Sequence, residues 1–189
     1  AAIEAVQFIW DMITVDKVSP DGSYFVENDP SQLFMSNKVA MIINGSWMVR
    51  PYYNAMGDNV DVSPLFRGKE RGFVSHGIGW VANAATKHPK ETWELLKFLG
   101  SEEAARIQAE TGLVIPAYKG TQDKWIESAP MRLQEFFDQT QYAIPYPTAH
   151  TAEWENPMYE HFTNIWIGQE SVEEGMKRMQ EQADAILKQ

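Results

Sequence analysis

The stretch from Phe34 to Trp47, FMSNKVAMIINGSW, limits the possible folds more than any other part of the chain. Val39 to Ile43 is an apolar run without clean alternation, the pattern of a strand covered on both faces. Asn37 stands where the chain leaves a short helix, and asparagine tolerates the left-handed backbone that a helix stop uses. Gly45 then permits a sharp turn, and Trp47 falls just past the strand's C-terminal end. In open α/β sheets, ligands bind in the crevice outside those ends. A flat aromatic with a polar edge at that place can serve as a ligand platform, and core packing is its other available role.

The flanking sequence is dense in helix punctuation. Ile3, Val6, Trp10 and Ile13 share one face, predicting an amphipathic helix over 2–14. Pro20 to Ser23 reads as a turn. Asp29-Pro30 is a cap followed by proline at the first helical position, opening a helix that ends near Ser36. A helical turn over 48–56 is closed by Gly57. Asp61 to Leu65 reads as a short strand, 67–72 as a polar loop, and His76 to Ala84 as a second strand bearing Gly77 and Gly79 on one side. Pro89 opens a helix with Trp93, Leu96 and Leu99 inward, ended by Gly100. Ser101 caps the next helix, with Glu102 and Glu103 in its first turn and Gly112 at its end. Leu113 to Ile115 reads as a strand stopped by Pro116.

Residues 122–139 are expected to be helical, with Trp125, Leu133, Phe136 and Phe137 in the apolar pattern. Tyr142 to Pro147 is extended, because proline disfavours helix in the residue before it. Thr151 or Asn156 caps the following helix. Asn156 is preferred, since Pro157 would take the first position, and Gly168 closes it. The last helix opens with the capping box Ser171 to Glu174 and buries Val172, Met176, Met179, Ala183 and Ile186.

Charge and composition remove several function classes. A net charge of −10 disfavours a nucleic-acid binder, which needs a basic face for phosphates, and disfavours docking on anionic lipid. No apolar run approaches the roughly 18 residues that span a bilayer. The chain has no cysteine, so disulfides, zinc–thiolate sites and thiol nucleophiles are all absent. His76, His88, His150 and His161 show no metal-ligand spacing, and no cofactor motif is evident. Gly45-Ser46-Trp47 lacks the second glycine of a nucleophile elbow. Gly77-Ile78-Gly79 lacks the third glycine and the helix start of a dinucleotide fingerprint. Glu153 and Glu155, which flank Trp154, are the one carboxylate pair that could hydrolyse a glycoside. No catalytic residue and no metal ligand is assigned.

Binding is better supported than catalysis. Sugars offer a face of C–H groups to aromatic rings and an edge of hydroxyls to polar side chains. Of the seven tryptophans, Trp10 and Trp93 lie on helical apolar stripes and are expected in the core. Trp125 and Trp166 are also expected to pack. Trp47, Trp80 and Trp154 lie at a strand end, within a glycine-rich strand, and at a loop or helix start, where binding residues concentrate. Ser46 could donate to a ligand hydroxyl or simply shape its corner. Tyr142 and Tyr146, beside prolines in an extended loop, could offer hydroxyls or lie on the surface. Arg50 is a nearby cation with an equally good solvated role.

Five stretches taken together carry a family resemblance: F-x-x-x-K-V-A-M-x-x-x-G-S-W over 34–47, G-I-G-W-V-A-N over 77–83, H-P-K-E-T-W-E-L-L-K-F-L over 88–99, G-L-V-I-P-A over 112–117 and G-Q-E-S-V-E-E over 168–174. In this order and spacing the chain resembles the extracytoplasmic solute-binding proteins of ABC importers, in the carbohydrate branch that includes maltose-binding protein. The resemblance implies an α/β fold: the helix-rich C-terminal lobe of a two-lobe, type II periplasmic-binding-protein-like protein.

Residues 1–76 and 121–189 would form that lobe. Residues 77–120 would cross over and pack on the N-terminal lobe. Residue 1 falls inside a helical pattern without a cap or a charged leader. With the resemblance, this implies the C-terminal part of a longer protein whose first-lobe sheet, signal peptide and any lipid anchor lie upstream, a natural short protein being the alternative. The implied function is capture of a sugar or oligosaccharide outside the cytoplasm, in the periplasm or as a cell-surface lipoprotein, for delivery to an ABC permease. The ligand contacts implied are Gly45, Ser46, Trp47, His76, Gly77, Trp80, Tyr146 and Trp154. The middle helices, short of their lobe, could recruit a second copy of the chain. A non-sugar solute such as a polyamine, an iron complex or a phosphorylated small molecule on the same fold is the first rival, and a glycoside hydrolase fragment the second.

Overall fold

Trp125 is fully closed to solvent, and its ring is met edge-on by Phe136 and Phe137, with centroids 5.5 and 6.0 Å away. Around it close Val49, Ala109, Ala129 and Leu133, with Tyr53, Val62, Ile115, Ile126 and Met131 at the margin. The computed structural model describes residues 1–148 and 151–188, so His150 lies outside the described residues. In chain order the elements are α1 (Ala2–Thr14), α2 (Gly22–Glu27), α3 (Pro30–Met35), α4 (Val49–Met56), β1 (Phe73–Ser75), α5 (Pro89–Leu99), α6 (Glu102–Thr111), α7 (Asp123–Ile126), α8 (Gln134–Asp138), β2 (Ala143–Pro145), α9 (Thr151–Trp166) and α10 (Val172–Leu187). They form two compact units, residues 1–36 with 147–189 and residues 37–146.

The first unit is all helical. Val6, Ile165 and Val172 make its buried centre, and Trp10, Phe162, Trp166 and Met176 pack around them. The expected stripe of α10 is the inward one: Val172 is buried and Met176, Met179, Ala183 and Ile186 are half-buried. Asp29 accepts from Ser31 N at 2.8 Å, with Pro30 at the start of α3. Ser171 and Glu174 form the complete capping box, satisfying amides that the first turn leaves without partners.

Helix α9 departs from expectation. It starts at Thr151, not after Asn156, and carries Pro157 inside it. An interior proline removes one backbone hydrogen bond and crowds the preceding turn. Trp154 and Glu155, in the turn before it, are half-buried.

In the second unit the local stops behave as read. Asn37 takes φ +57°, and Gly112 closes α6 in the left-handed conformation at φ +67°. Ser101 caps α6 by accepting from Ala104 N at 3.2 Å. The strands do not behave as read. β1 and β2 pair in parallel, Phe73 with Ala143 through Ser75 with Pro145, and this is the only ladder among the described residues.

The segments 39–43, 61–65, 76–84 and 113–115, expected as strands, are irregular. Met41 is 85% exposed and Ile43 66%. A strand needs a neighbour to take its backbone hydrogen bonds, and none lies beside them among the described residues. Asp61 instead accepts from Arg132 N and Nε at 2.8 and 2.6 Å, and Leu65 N donates to Gln139 Oε1 at 2.9 Å.

The expected helix over 122–139 is two short ones, because Pro130 and the residue before it break the pattern. Trp93 is the other correction. Its helix forms, but the ring is 60% exposed, with Leu95 and Phe98 also open.

Candidate functional site

The parallel pair points both of its C-terminal ends the same way, and each end is followed at once by an aromatic. His76 follows Ser75 and Tyr146 follows Pro145. Tyr146 N donates to Ser75 O at 3.1 Å, extending the register by one step. The rings of His76 and Tyr146 then stack, with centroids 4.4 Å apart and planes 27° apart. Two residues seventy positions apart in sequence thus form a face-to-face stacked pair just beyond the strand ends, the side on which open α/β sheets hold ligands. Gly77 continues from His76 with open space on the side where a Cβ would be. Trp80 is 59% exposed further along the same irregular segment.

Gly45, Ser46 and Trp47 form a tight turn leading into α4. Met48 N donates to Gly45 O at 3.0 Å. Asn44 anchors the turn: its Oδ1 accepts from Gly45 N at 2.8 Å and its Nδ2 donates to the Tyr52 hydroxyl at 2.8 Å. Tyr52 and Val49 are buried, so the turn is fixed to the core of its unit. The Trp47 indole folds back over Gly45, and a Cβ at residue 45 would sit 2.2 Å from the ring. The glycine is therefore the floor under the indole. The ring itself is 52% exposed, so it is a surface side chain more than a core one.

Seven of the eight expected contacts, Gly45, Ser46, Trp47, His76, Gly77, Trp80 and Tyr146, lie in the unit of residues 37–146. The structure brings together His76 with Tyr146, and Gly45 with Trp47. Trp154 is half-buried in α9, in the other unit. Glu153 and Glu155 both fall in the first turns of that helix, two residues apart. Residues at that spacing point to different sides of a helix, an arrangement that does not favour the pair flanking one glycosidic bond. Among the described residues, no group of three side chains capable of holding a metal comes together, and no helix is long and apolar enough to cross a membrane.

Two arrangements were not legible beforehand. The Arg71 guanidinium sits over the Tyr142 ring, 6.0 Å from its centroid, beside Leu65, Phe66, Phe73 and Gln139. Loop 67–72 has no periodicity from which that contact could be read. His161, Glu170 and Arg178 form a linked set in the helical unit, with His161 Nδ1 and Arg178 Nη1 each 2.8 Å from a Glu170 oxygen. Their spacing crosses a helix–turn–helix and matches no local motif.

The family described as bacterial extracellular solute-binding protein matches residues 4–134 of this chain. Maltodextrin-binding protein MdxE of Bacillus subtilis (strain 168) is 26% identical over 181 residues, which is 90% of this chain and 39% of that protein. The ABC substrate-binding protein Lmo0181 of Listeria monocytogenes, solved in complex with cycloalternan, superposes with a TM-score of 0.78 at 19% identity, over 98% of this chain and 48% of that one. UspC of M. tuberculosis superposes with a TM-score of 0.74 at 23% identity and the same coverages. At such identities the likeness to the solved structures is one of fold: a helix-rich partial lobe of the type II substrate-binding architecture. The chain spans less than half the length of each of these relatives.

Proposed function

This chain belongs to the bacterial extracellular solute-binding proteins, and on that premise we propose that it is the sugar-binding C-terminal portion of an ABC importer's substrate-binding component. The observation that carries the reading is the aromatic surface of its second unit. The His76–Tyr146 stack lies beyond two parallel strand ends, and an exposed indole at Trp47 is held by a glycine floor and a buried anchor. Rings of this kind cover the C–H face of a pyranose, while Ser46 and the Tyr146 hydroxyl suit its edge. The name of the Bacillus relative and the cycloalternan in the Listeria structure favour an oligosaccharide over a polyamine, iron complex or phosphorylated solute.

In this proposal Gly45, Ser46, Trp47, His76, Gly77, Trp80, Tyr146 and Trp154 contact the ligand. Residues 1–76 and 121–189 belong to one lobe, and residues 77–120 pack against another. Capture proceeds by closure of two lobes around the sugar, with no bond broken. The protein works outside the cytoplasm, in the periplasm or as a surface lipoprotein, and hands its ligand to permease subunits. The open apolar residues of α5, Trp93, Leu95 and Phe98, suit burial against the other lobe or, in this chain alone, against a second copy.

The test is intrinsic fluorescence of the protein against a panel of mono- and oligosaccharides, in wild type and Trp47→Ala. A saturable change with one sugar, lost in the variant, supports both the receptor and its platform. Binding that survives the substitution removes Trp47 from the site. Silence across the panel, matched by calorimetry, overturns the carbohydrate reading.

A further inference from the structure

The helical unit has a cleft of about 300 Å³ that nothing in the sugar reading uses. It is lined by Trp10, Ile13 and Thr14 of α1, by Asp21 and Ser23 at the start of α2, and by Trp166, Ile167 and Gly168 at the end of α9. Every one of these residues belongs to the same compact unit, and none is among the proposed sugar contacts. The volume is at the small end of ligand pockets, enough for a metabolite of a few heavy atoms.

The electrostatics of the cleft favour a cation, because the positive start of the six-residue α2 is already covered by the Asp21 carboxylate. Helices α1 and α9 both end at it, and the C-terminal end of a helix dipole carries partial negative charge. Neither helix has a basic residue in its last turn to offset that charge. Asp21 adds a full negative charge. Its Oδ1 accepts from Ser23 N at 2.8 Å and from the Ser23 hydroxyl at 2.6 Å, and these bonds hold the carboxyl below the usual aspartate range, so it is ionised at neutral pH. Among the described residues no cation pairs with it, and no other bond is made to Oδ2.

The remaining walls are aromatic. Trp10 and Trp166 stand with centroids 6.4 Å apart and planes 24° apart, and Phe162 backs Trp166 on parallel planes. Gly168, at φ +75°, keeps the wall opposite Trp10 thin: the nearest atom to a Cβ there would be the Trp10 ring at 4.0 Å. Indole and carboxylate together form the combination that recognises organic ammonium groups, one by polarisable π-density and the other by charge. A neutral sugar would gain nothing from the two helix ends, and an anion would be repelled by them.

We propose that the cleft between the ends of α1 and α9 is a second ligand site, taking a small organic cation that carries a substituted ammonium group, with Asp21 as its counter-charge and Trp10 and Trp166 as its walls. The site stands independently of the sugar reading, because the two share no residue.

The experiment is calorimetric titration of the protein with choline and with its uncharged carbon isostere, in wild type, Asp21→Asn and Trp47→Ala. Asparagine caps a helix about as well as aspartate, so Asp21→Asn removes the charge and keeps the turn. Circular dichroism checks that it does. The expected result is saturable choline binding that weakens about tenfold or more in Asp21→Asn, is unchanged in Trp47→Ala, and is not reproduced by the isostere. A flat choline titration in the wild type overturns the proposal. Equal binding of the isostere, unchanged affinity in Asp21→Asn, or loss of choline binding in Trp47→Ala does the same.

Discussion

His161 Nδ1 lies 2.8 Å from Glu170 Oε2, and the two side chains are only 7% and 10% exposed. Arg178 takes the other carboxylate oxygen, so one glutamate in the turn ties α9 to α10. The hydrogen bond from His161, with help from Arg178, lowers the Glu170 pKa below its ordinary value despite the opposing effect of burial. A carboxyl with a depressed pKa in the folded state adds stability that is complete above its ordinary range. That stability is lost as pH falls through the depressed value. Thermal unfolding should therefore show a melting temperature that drops on acidification below the usual glutamate range. Glu170→Gln should melt lower at neutral pH and show a shallower acid decline. Parallel acid profiles for the two proteins would refute the assignment.

Gly175 lets α10 approach that same corner. A Cβ there would sit 2.7 Å from Ile165 Cδ1 and 2.8 Å from its Cγ1, both closer than side chains tolerate, and 3.0 Å from Glu170 Oε2. Alanine should help the helix by up to about 1 kcal/mol through propensity. Crowding against a fully buried isoleucine should cost about 1–3 kcal/mol. The expected net result for Gly175→Ala is a loss of up to about 2 kcal/mol, measured by urea unfolding. A gain in stability would mean the helices separate without penalty.

Trp125 and Trp93 looked alike in sequence, each on an apolar helical pattern, and the fold separates them. Trp125 is sealed between Phe136 and Phe137, while Trp93 is 60% exposed. Trp125→Ala should cost about 3–5 kcal/mol, the usual loss for emptying a core site of that size. Trp93→Ala should stay within about 0.5 kcal/mol while the chain is monomeric, as surface substitutions do. Chemical denaturation of the two variants in this chain checks the contrast. Comparable losses would show that Trp93 is buried in solution by a partner.

What could be read in the sequence was what is decided within a few residues. The capping box at Ser171 and Glu174, the caps at Asp29 and Ser101, and the left-handed stops at Asn37 and Gly112 all depend on a backbone and its immediate neighbours, and all are present. The strands were not legible because a strand is a relation between distant segments. The run from Val39 to Ile43 has strand composition, but among the described residues no segment pairs with it, so it is irregular and largely open. The ladder that does form, 73–75 with 143–145, joins residues whose own composition gave no strong signal. The candidate site divides along the same line. The Gly45–Trp47 corner was readable from three adjacent residues, whereas the His76–Tyr146 stack follows from the register of a distant pair.

The Gly45–Trp47 corner gives the sharpest test of the proposed sugar platform. Gly45 has φ −87° and ψ 165°, an extended backbone that alanine adopts without strain. The glycine is there for the space above it, since a Cβ would lie 2.2 Å from two atoms of the Trp47 ring. Gly45→Ala therefore keeps the indole in the protein and moves it off its floor. If the ring's position matters to the ligand, affinity for the sugar found by the fluorescence panel should fall about tenfold or more, approaching the loss in Trp47→Ala. The melting temperature should change little, because the ring is already half in solvent. Calorimetry of both variants with that sugar reads the two effects apart. Full affinity in Gly45→Ala beside a loss in Trp47→Ala would show that the ligand needs an indole at this corner but not this placement of it.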